Sequence, residues 1–167
     1  MKRLFDLILS FCLVLVLLVP ILVIVGLIRL TSKGPAVYWS DRVGVDNQIF
    51  RMPKFRTMRI DTPAVATHLL KNPDVYLAPL GSFLRKSSMD ELPQLWSVLK
   101  GDMSFVGPRP ALFNQDDLIA LRTERGVHQL IPGITGWAQV CYPYGASVED
   151  AREKLQYDLY YIKYFSF

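Results

Sequence analysis

The chain has 167 residues, of which 51% are hydrophobic, and its formal net charge at pH 7 is +4. The positive charge is concentrated in the first half: residues 1–86 carry 12 Lys/Arg against 5 Asp/Glu, and residues 87–167 carry 7 against 10. No recognised nucleic-acid-binding motif accompanies these basic residues, which excludes nucleic acid as the expected partner. Contact with anionic lipid heads and phosphate ligands is the remaining interpretation.

An uncharged run of 22 residues occupies positions 7–28. As a helix it would extend about 33 Å, enough to cross a bilayer core of about 30 Å, so a transmembrane helix is the default expectation. Pro20 lies inside the run, where a proline removes a backbone hydrogen bond and favours a kink. Basic residues flank the run on both sides, at Lys2, Arg3, Arg29 and Lys33.

Positive charge at both ends gives the positive-inside rule no direction, which suits a segment whose two ends lie on the cytoplasmic side. The two limbs around Pro20 would each be too short to cross alone. A cleavable signal peptide is a third interpretation, but no A-x-A-like cleavage site follows the run. The sequence therefore divides into a membrane segment, residues 1–30, and one further domain, residues 31–167.

The further domain is predicted to be mostly helical with a small sheet. Extended segments are expected at Tyr38-Trp39 and Gln48–Met58, joined by turn residues Asp46-Asn47, and Pro53 restricts the second segment to an edge or a bend. Helices are predicted over 63–71, over 113–125 with Asn114 as a cap and Gly126 as a stop, and from Ser147 towards Tyr164. Residues 131–137 are interpreted as a rigid loop that carries Trp137.

Four tyrosines in the last helix follow helical spacing, at Tyr157, Tyr160, Tyr161 and Tyr164. Such a face either packs on the core or lies at a bilayer interface, where the ring is apolar and the hydroxyl is hydrated. Both alternatives remain open from the sequence.

The segment 84–110, LRKSSMDELPQLWSVLKGDMSFVGPRP, is the most informative part of the chain. Two adjacent carboxylates, Asp90 and Glu91, follow Arg85, and a Pro108-Arg109-Pro110 sequence comes after a glycine-containing loop. A carboxylate can act as a nucleophile or bind a divalent cation, and arginine binds phosphate oxygens through two parallel hydrogen bonds. This pattern indicates chemistry on phosphates.

A purely structural interpretation uses the same residues. Ser88 and Glu91 have the spacing of a helix capping box, acidic residues suit a first helical turn, and Gly101 would stop the helix. Lys54 and Arg56 also have two interpretations. They alternate on an extended segment and so share one face, which is either a solvated edge or a phosphate-facing surface.

Together these motifs resemble the bacterial sugar transferases known as monotopic polyprenyl-phosphate phosphoglycosyl transferases. The likeness rests on the Asp90-Glu91 dyad with its following Leu-Pro-Gln-Leu, on Lys-Gly-Asp-Met-Ser and on Gly-Pro-Arg-Pro. Lys-Phe-Arg-Thr-Met at 54–58 and Pro-Gly-Ile-Thr-Gly-Trp-Ala-Gln-Val at 132–140 are also similar. The chain departs from the family pattern at Val19, where many members have Ser, and at 141–146, where many have Asn-Gly-Arg. The latter segment resembles a subgroup associated with exopolysaccharide synthesis.

The resemblance implies an α+β fold, mostly helical, with an N-terminal re-entrant membrane helix, a small β-hairpin, several helices and amphipathic helices at the membrane surface. It implies transfer of a phospho-sugar from a UDP-sugar to a polyprenyl (undecaprenyl) phosphate at the cytoplasmic face of the bacterial inner membrane. The products are polyprenyl-diphosphate-sugar and UMP, in the first membrane step of exopolysaccharide, O-antigen or glycoconjugate synthesis.

The resemblance also assigns roles to residues. Asp90 is the expected nucleophile of a ping-pong reaction with a covalent aspartyl intermediate, and Glu91 is the expected ligand of Mg²⁺. Arg85 and Arg109 are expected to position phosphates, with Pro108 and Pro110 restricting the backbone around Arg109, and Lys54 and Arg56 are expected to face phosphate or membrane. A non-enzymatic, membrane-anchored adaptor is the alternative, although it leaves the grouping of carboxylates and arginines unexplained.

Overall fold

The computed structural model describes residues 1–63, 72–142 and 148–164. The helix predicted over 63–71 and the expected cap at Ser147 lie outside the described residues, apart from position 63. Within the described ranges the chain is mostly helical with a small β-hairpin, as the sequence predicted, and it has a second small sheet that was not predicted.

The first helix, α1, runs over Lys2–Thr31 and is apolar and long enough to cross a membrane. Its buried residues lie near its two ends, at Asp6 and Ser10 and at Ile24 and Ile28, and most of its apolar surface is exposed. So large an exposed apolar surface suits lipid rather than water, which indicates association with a membrane.

The backbone of α1 stays helical through Pro20, and the kink and the re-entrant course expected at this residue stay predictions. A proline removes only one hydrogen bond, and the bonds on either side keep the helix continuous.

Strands β1 (Val37–Val43) and β2 (Ile49–Phe55) form an antiparallel hairpin that is paired along its full length. The turn between them contains Asp46 and Asn47 with φ of +52° and +59°, a conformation that Asp and Asn tolerate better than most residues. Pro53 lies within β2, where it is accommodated because both strands of a two-stranded sheet are edges. The predicted hairpin and turn are confirmed.

The remaining helices are short except the last. A 3₁₀ helix over Met89–Gln94 carries the Asp-Glu pair and continues directly into a short α-helix. The α-helices after the hairpin are α2 (Gly81–Lys86), α3 (Leu95–Lys100), α4 (Asp116–Glu124), α5 (Trp137–Cys141) and α6 (Val148–Tyr164).

A second sheet lies where the sequence suggested a loop. Strands β3 (Ser104–Val106) and β4 (Gly133–Thr135) pair in parallel, so the interpretation of 131–137 as a loop is wrong for its central residues. Strands of three residues have no detectable periodicity, and the pairing joins distant parts of the chain. Glycine permits the close approach, because a Cβ at Gly133 would lie 2.2 Å from the backbone nitrogen of Gly107.

Helix α4 begins three residues later than predicted. Its N-terminal boundary is Gln115 rather than Asn114, and the Gln115 side chain accepts a hydrogen bond from the backbone N–H of Leu112 at 2.9 Å. Its expected stop is confirmed, because Gly126 adopts φ +77°, which glycine alone adopts freely.

Two apolar clusters hold the elements together, and β2 contributes to both. One joins the C-terminal end of α1 to the domain through Ile24, Ile28, Ala36, Phe55 and Leu84. The other contains Phe50, Met52, Val98 and Met103. Since β2 also packs on the 3₁₀ helix, its side chains between the clusters lie beside Asp90 and Glu91.

Candidate active site

The capping-box interpretation of Ser88 and Glu91 is wrong. Ser88 makes no side-chain capping hydrogen bond and adopts φ +56°, and the Glu91 carboxylate binds other partners. The first turn is a 3₁₀ helix that accommodates Pro93, and regular α-helix begins only at Leu95. The expected stop at Gly101 is confirmed, with φ +104°.

Glu91 is held by two cations that come from different parts of the chain. Its Oε1 accepts a hydrogen bond from Lys54 Nζ at 2.7 Å and another from Arg109 Nη2 at 2.9 Å. Lys54 projects from β2, and Arg109 lies in the loop after β3. The three residues therefore join the hairpin, the 3₁₀ helix and the Pro-Arg-Pro loop at one point.

The two cations determine the charge of Glu91. Burial alone raises the pKa of this carboxyl group, but attraction to Lys54 and Arg109 and hydrogen bonds from both outweigh burial and bring the pKa to about 2. Burial lowers the pKa of Lys54, although Glu91 opposes this effect. Glu91 is thus a fixed anion at neutral pH.

Asp90 is the less constrained of the two carboxylates. It is half-buried and forms no direct ion pair with any described residue. Burial raises its pKa, Lys54 and Arg85 lower it, and the neighbouring charge of Glu91 raises it. Such a carboxylate is free to act on a ligand, which suits a nucleophile better than the locked Glu91 does.

One open cavity of about 650 Å³ brings together six of the eight predicted site residues. Arg85 donates from Nε to Thr57 Oγ1 at 3.0 Å, and Arg56 donates from Nη1 to the Lys33 carbonyl at 3.2 Å. The predicted residues that line it are Lys54, Arg56, Arg85, Asp90, Glu91 and Arg109. Arg59 also lines it, and a cavity with five cations around two carboxylates can receive an anionic ligand.

Pro108 and Pro110 do not line this cavity and instead line a smaller one behind the loop, together with Arg109. The sequence missed the direct pairing of Lys54 and Arg109 with Glu91, and it missed Thr57 and Arg42. Burial and the charge of Arg109 together lower the pKa of Arg42 to about 10, although attraction to Glu91 opposes them. Alternation on the extended segment and the family-like motif at 54–58 were the signals that pointed to Lys54, whereas the other contacts join residues distant in sequence.

Within the described ranges, no group of three or more His, Cys, Asp or Glu side chains could hold a metal ion. A Mg²⁺ site needs fewer protein ligands when substrate phosphates and water complete the octahedron. Both cations bind Glu91 through Oε1, and no described residue donates a hydrogen bond to Oε2, which can therefore serve as a hard oxygen ligand. The residues present fit Mg²⁺ on these terms.

The tyrosine face of α6 is divided between the two interpretations offered by the sequence. Tyr161 is buried, and its hydroxyl oxygen accepts a hydrogen bond from the backbone N–H of Trp137 at 2.7 Å. Tyr160 and Tyr164 are exposed, and Tyr160 stacks on Trp137 with ring centroids 6.0 Å apart. Part of the face therefore packs, and part presents aromatic rings outward.

Comparison with known proteins shows the family of the chain. The sequence profile of the family described as "Bacterial sugar transferase" matches residues 1–167. The chain is 42% identical over 144 residues to the UDP-N-acetylgalactosamine-undecaprenyl-phosphate N-acetylgalactosaminephosphotransferase of Aeromonas hydrophila, covering 84% of the chain and 34% of that protein. It is 36% identical over 172 residues to the UDP-glucose:undecaprenyl-phosphate glucose-1-phosphate transferase of Escherichia coli K12, covering 99% of the chain and 37% of that protein.

A shorter relative matches over most of its own length. The uncharacterized sugar transferase EpsL of Bacillus subtilis is 39% identical over 170 residues, which cover 100% of the chain and 80% of that protein. The chain thus spans only about a third of the first two relatives and most of the third. With the family profile matched over all 167 residues, the chain belongs to the bacterial sugar transferase family.

Proposed function

We propose that the chain transfers a phospho-sugar from a UDP-sugar to a polyprenyl phosphate such as undecaprenyl phosphate. The observation that carries this proposal is a cavity in which Asp90, which forms no ion pair with a described residue, lies beside a Glu91 held by two cations. The names of the relatives support the substrate classes. Neither the names nor the site supports the adaptor alternative.

The reaction proceeds by two displacements at phosphorus. Asp90 attacks the sugar-bearing phosphate of the UDP-sugar, the bond to the UMP phosphate breaks, and an aspartyl phospho-sugar and UMP result. A phosphate oxygen of the lipid then attacks the same phosphorus, and the Asp90 carboxylate is released with the polyprenyl-diphosphate-sugar. Two half-reactions allow one site to accept a soluble substrate and then a membrane substrate.

The cations of the cavity orient the phosphates for these steps. Arg85, anchored by Thr57, and the guanidinium of Arg109 offer planar donors that match phosphate oxygens. Lys54 and Arg56 add positive charge on the hairpin side. Glu91, with Asp90 beside it, would hold Mg²⁺, which neutralises charge on the diphosphate and on the leaving group.

The cavity lies close to the end of the membrane helix, which suits a lipid acceptor. Arg56 lines the cavity and bonds to the Lys33 carbonyl, two residues after α1 ends. Phe55, next to Arg56, packs with Ile24 and Ile28 of α1. A phosphate carried at the bilayer surface therefore needs to move only a short distance to the carboxylates.

Release of UMP from a panel of UDP-sugars tests the proposed function. The detergent-solubilised protein should release UMP from at least one member of the panel, and Asp90→Asn should not. Asp117→Asn is the matched control, because Asp117 is an exposed carboxylate in the first turn of α4 and does not line the cavity. UMP release that survives in Asp90→Asn at the parent rate would overturn the proposal.

We also propose that α1 is re-entrant, with both ends on the cytoplasmic side. Near its N-terminus, Asp6 accepts a hydrogen bond from Ser104 at 2.8 Å, and Arg3 donates to the Leu99 carbonyl at 2.8 Å. Near its C-terminus, Ile24 and Ile28 are buried against the domain. A helix that crossed the bilayer would place these two ends on opposite sides, and one domain cannot contact both.

Labelling of tags tests this topology. Tags before Lys2 and after Lys33 should both be protected from an impermeant external reagent in intact cells. Pro20→Ala should favour a straight helix and expose the N-terminal tag in part of the molecules, because it restores a hydrogen-bond donor. Labelling of the N-terminal tag in the parent protein contradicts the re-entrant topology without affecting the chemistry proposed for Asp90.

A further inference from the structure

The backbone of the Pro108-Arg109-Pro110 loop is fixed through all three of its carbonyl groups. The Pro108 carbonyl accepts from the Gly133 N–H at 2.9 Å, and the Pro110 carbonyl accepts from Arg42 Nη1 at 3.2 Å. Prolines have no N–H to donate, so a loop of this composition is held mainly through its acceptors.

The central carbonyl, that of Arg109, accepts from a buried side chain. Arg122 of α4 donates to it from Nη1 at 2.7 Å and donates from Nη2 to Asp158 of α6 at 2.8 Å. The Asp158 side chain is only 2% exposed, and that of Arg122 is 16% exposed. One guanidinium thus bonds the active-site loop and the last helix at the same time.

If the Arg122–Asp158 pair served only stability, Arg122 would not need to bond the Arg109 carbonyl as well. Removing two charges from water is costly, and buried ion pairs are often replaceable by apolar residues without loss of stability. Burial raises the pKa of Asp158, whereas Arg122 lowers it. What stability alone does not explain is the second hydrogen bond of Arg122, to the backbone carbonyl of Arg109. The side chain of Arg109 in turn binds Glu91.

We propose that Arg122 and Asp158 are positioning residues for the transfer reaction, and that they connect α6 to the active site. Asp158 orients Arg122, Arg122 fixes the Arg109 backbone, and the guanidinium of Arg109 then reaches both Glu91 and a bound phosphate. This inference rests on the proposed function for its effect on turnover. Its structural part, the dependence of the Arg109–Glu91 contact on Arg122, can be measured without any substrate.

Three variants test the connection. Arg122→Lys keeps a positive charge next to Asp158, but lysine lacks the planar guanidinium that donates to Asp158 and to the Arg109 carbonyl at the same time. The double variant Arg122→Met/Asp158→Leu removes both charges and keeps an apolar, well-packed pair, so it is expected to fold. Arg125→Gln is the matched control, because Arg125 is exposed at the end of the same helix and contacts only Glu124 among the described residues.

The first measurement is the ¹⁵N NMR signal of the Arg109 guanidinium, identified by its loss in Arg109→Lys. In the parent and in Arg125→Gln this signal should show slow rotation of an ion-paired group, and Glu91→Gln should abolish that behaviour. Arg122→Lys and the double variant should also abolish it. Parent-like behaviour of Arg109 in a folded double variant overturns the inference, whether or not the protein transfers sugars.

The second measurement is UMP release. Both variants should lower kcat/KM by about 10- to 100-fold, because small displacements of a positioning group have effects of this size. In an Arg109→Ala background neither should lower the residual rate further, since the group they position is gone. If instead either variant lowers kcat/KM in the Arg109→Ala background by the same factor as in the parent, the role of the pair is purely structural and the inference is overturned. Absence of Asp90-dependent release from the parent instead refutes the proposed function.

Discussion

In the segment 84–110 charged side chains converge on a cavity, whereas in α1 the few polar side chains attach the helix to the domain. Glu91 is bound by Lys54 and Arg109 at the cavity wall. Asp6 is more deeply buried than Glu91 and bonds to Lys2 and Ser104, away from that cavity. Both carboxylates are held by neighbouring side chains, but only Glu91 lines the cavity. Glu91 is therefore placed for chemistry, whereas Asp6 attaches α1 to the domain.

This difference has a consequence for substitutions. Changes in the segment 84–110 should affect turnover more than stability, and changes near the N-terminal end of α1, where it docks on the domain, should do the reverse. If variants in the two regions changed turnover and stability in the same way, this distinction would be wrong.

The largest effect is expected from Asp90→Asn. An amide cannot form the aspartyl intermediate, and the loss of a nucleophile lowers turnover by about 10⁴-fold or more. The melting temperature should stay close to that of the parent, because Asp90 forms no direct ion pair with a described residue. UMP release and thermal unfolding measured on the same preparation check both statements, with Asp117→Asn as the control.

Glu91→Gln should follow, with a loss of about 10³-fold from removal of a charged group at the phosphates. Glu91→Gln should also change how the stability of the protein depends on pH. The pKa of Glu91 lies at about 2 in the fold against an ordinary 4.5, so its ionisation stabilises the protein above pH 4.5. That contribution disappears as the pH falls towards 2.

The melting temperature as a function of pH measures this contribution. The advantage of the parent over Glu91→Gln should shrink between pH 4.5 and pH 2. A constant difference across that range would mean that Lys54 and Arg109 do not hold Glu91 ionised.

Arg109→Lys should lower kcat/KM by about 100-fold, because lysine keeps the charge and loses the planar fork that matches a carboxylate or a phosphate. Arg85→Lys should have a smaller effect, since Arg85 bonds Thr57 rather than Glu91. Parent-like turnover in both variants would show that the two arginines do not position phosphates and only form structural contacts.

The sequence indicated which residues come together better than it indicated how they are connected. Adjacent carboxylates and arginines in one short segment, with the family resemblance, pointed to Asp90, Glu91, Arg85 and Arg109, and these four residues line one cavity. The partner of Arg109 and the parallel strand pair depend on residues that are distant along the chain, and no local pattern encodes such contacts. Helix α4 begins at Asp116, three residues after the predicted start, and its N-cap residue Gln115 makes no side-chain capping bond that a sequence pattern could reveal.

The smallest effect is expected at the docking end of α1. Asp6→Asn should destabilise the protein by about 1–2 kcal/mol through weaker bonds to Lys2 and Ser104, with kcat/KM within a few-fold of the parent. Ser104→Ala should give a similar result. Thermal unfolding and UMP release are the measurements, and a loss of turnover as large as that of Arg109→Lys would contradict the separation of docking from chemistry.

Trapping of the intermediate tests the central claim most directly. The protein is incubated with a UDP-sugar from which it releases UMP, in the absence of a polyprenyl phosphate, and is analysed by intact-mass and peptide mass spectrometry. The account predicts one equivalent of UMP and one phospho-sugar attached to the peptide that contains Asp90, lost when polyprenyl phosphate is added. No adduct in the parent, or an equal adduct in Asp90→Asn, would contradict it.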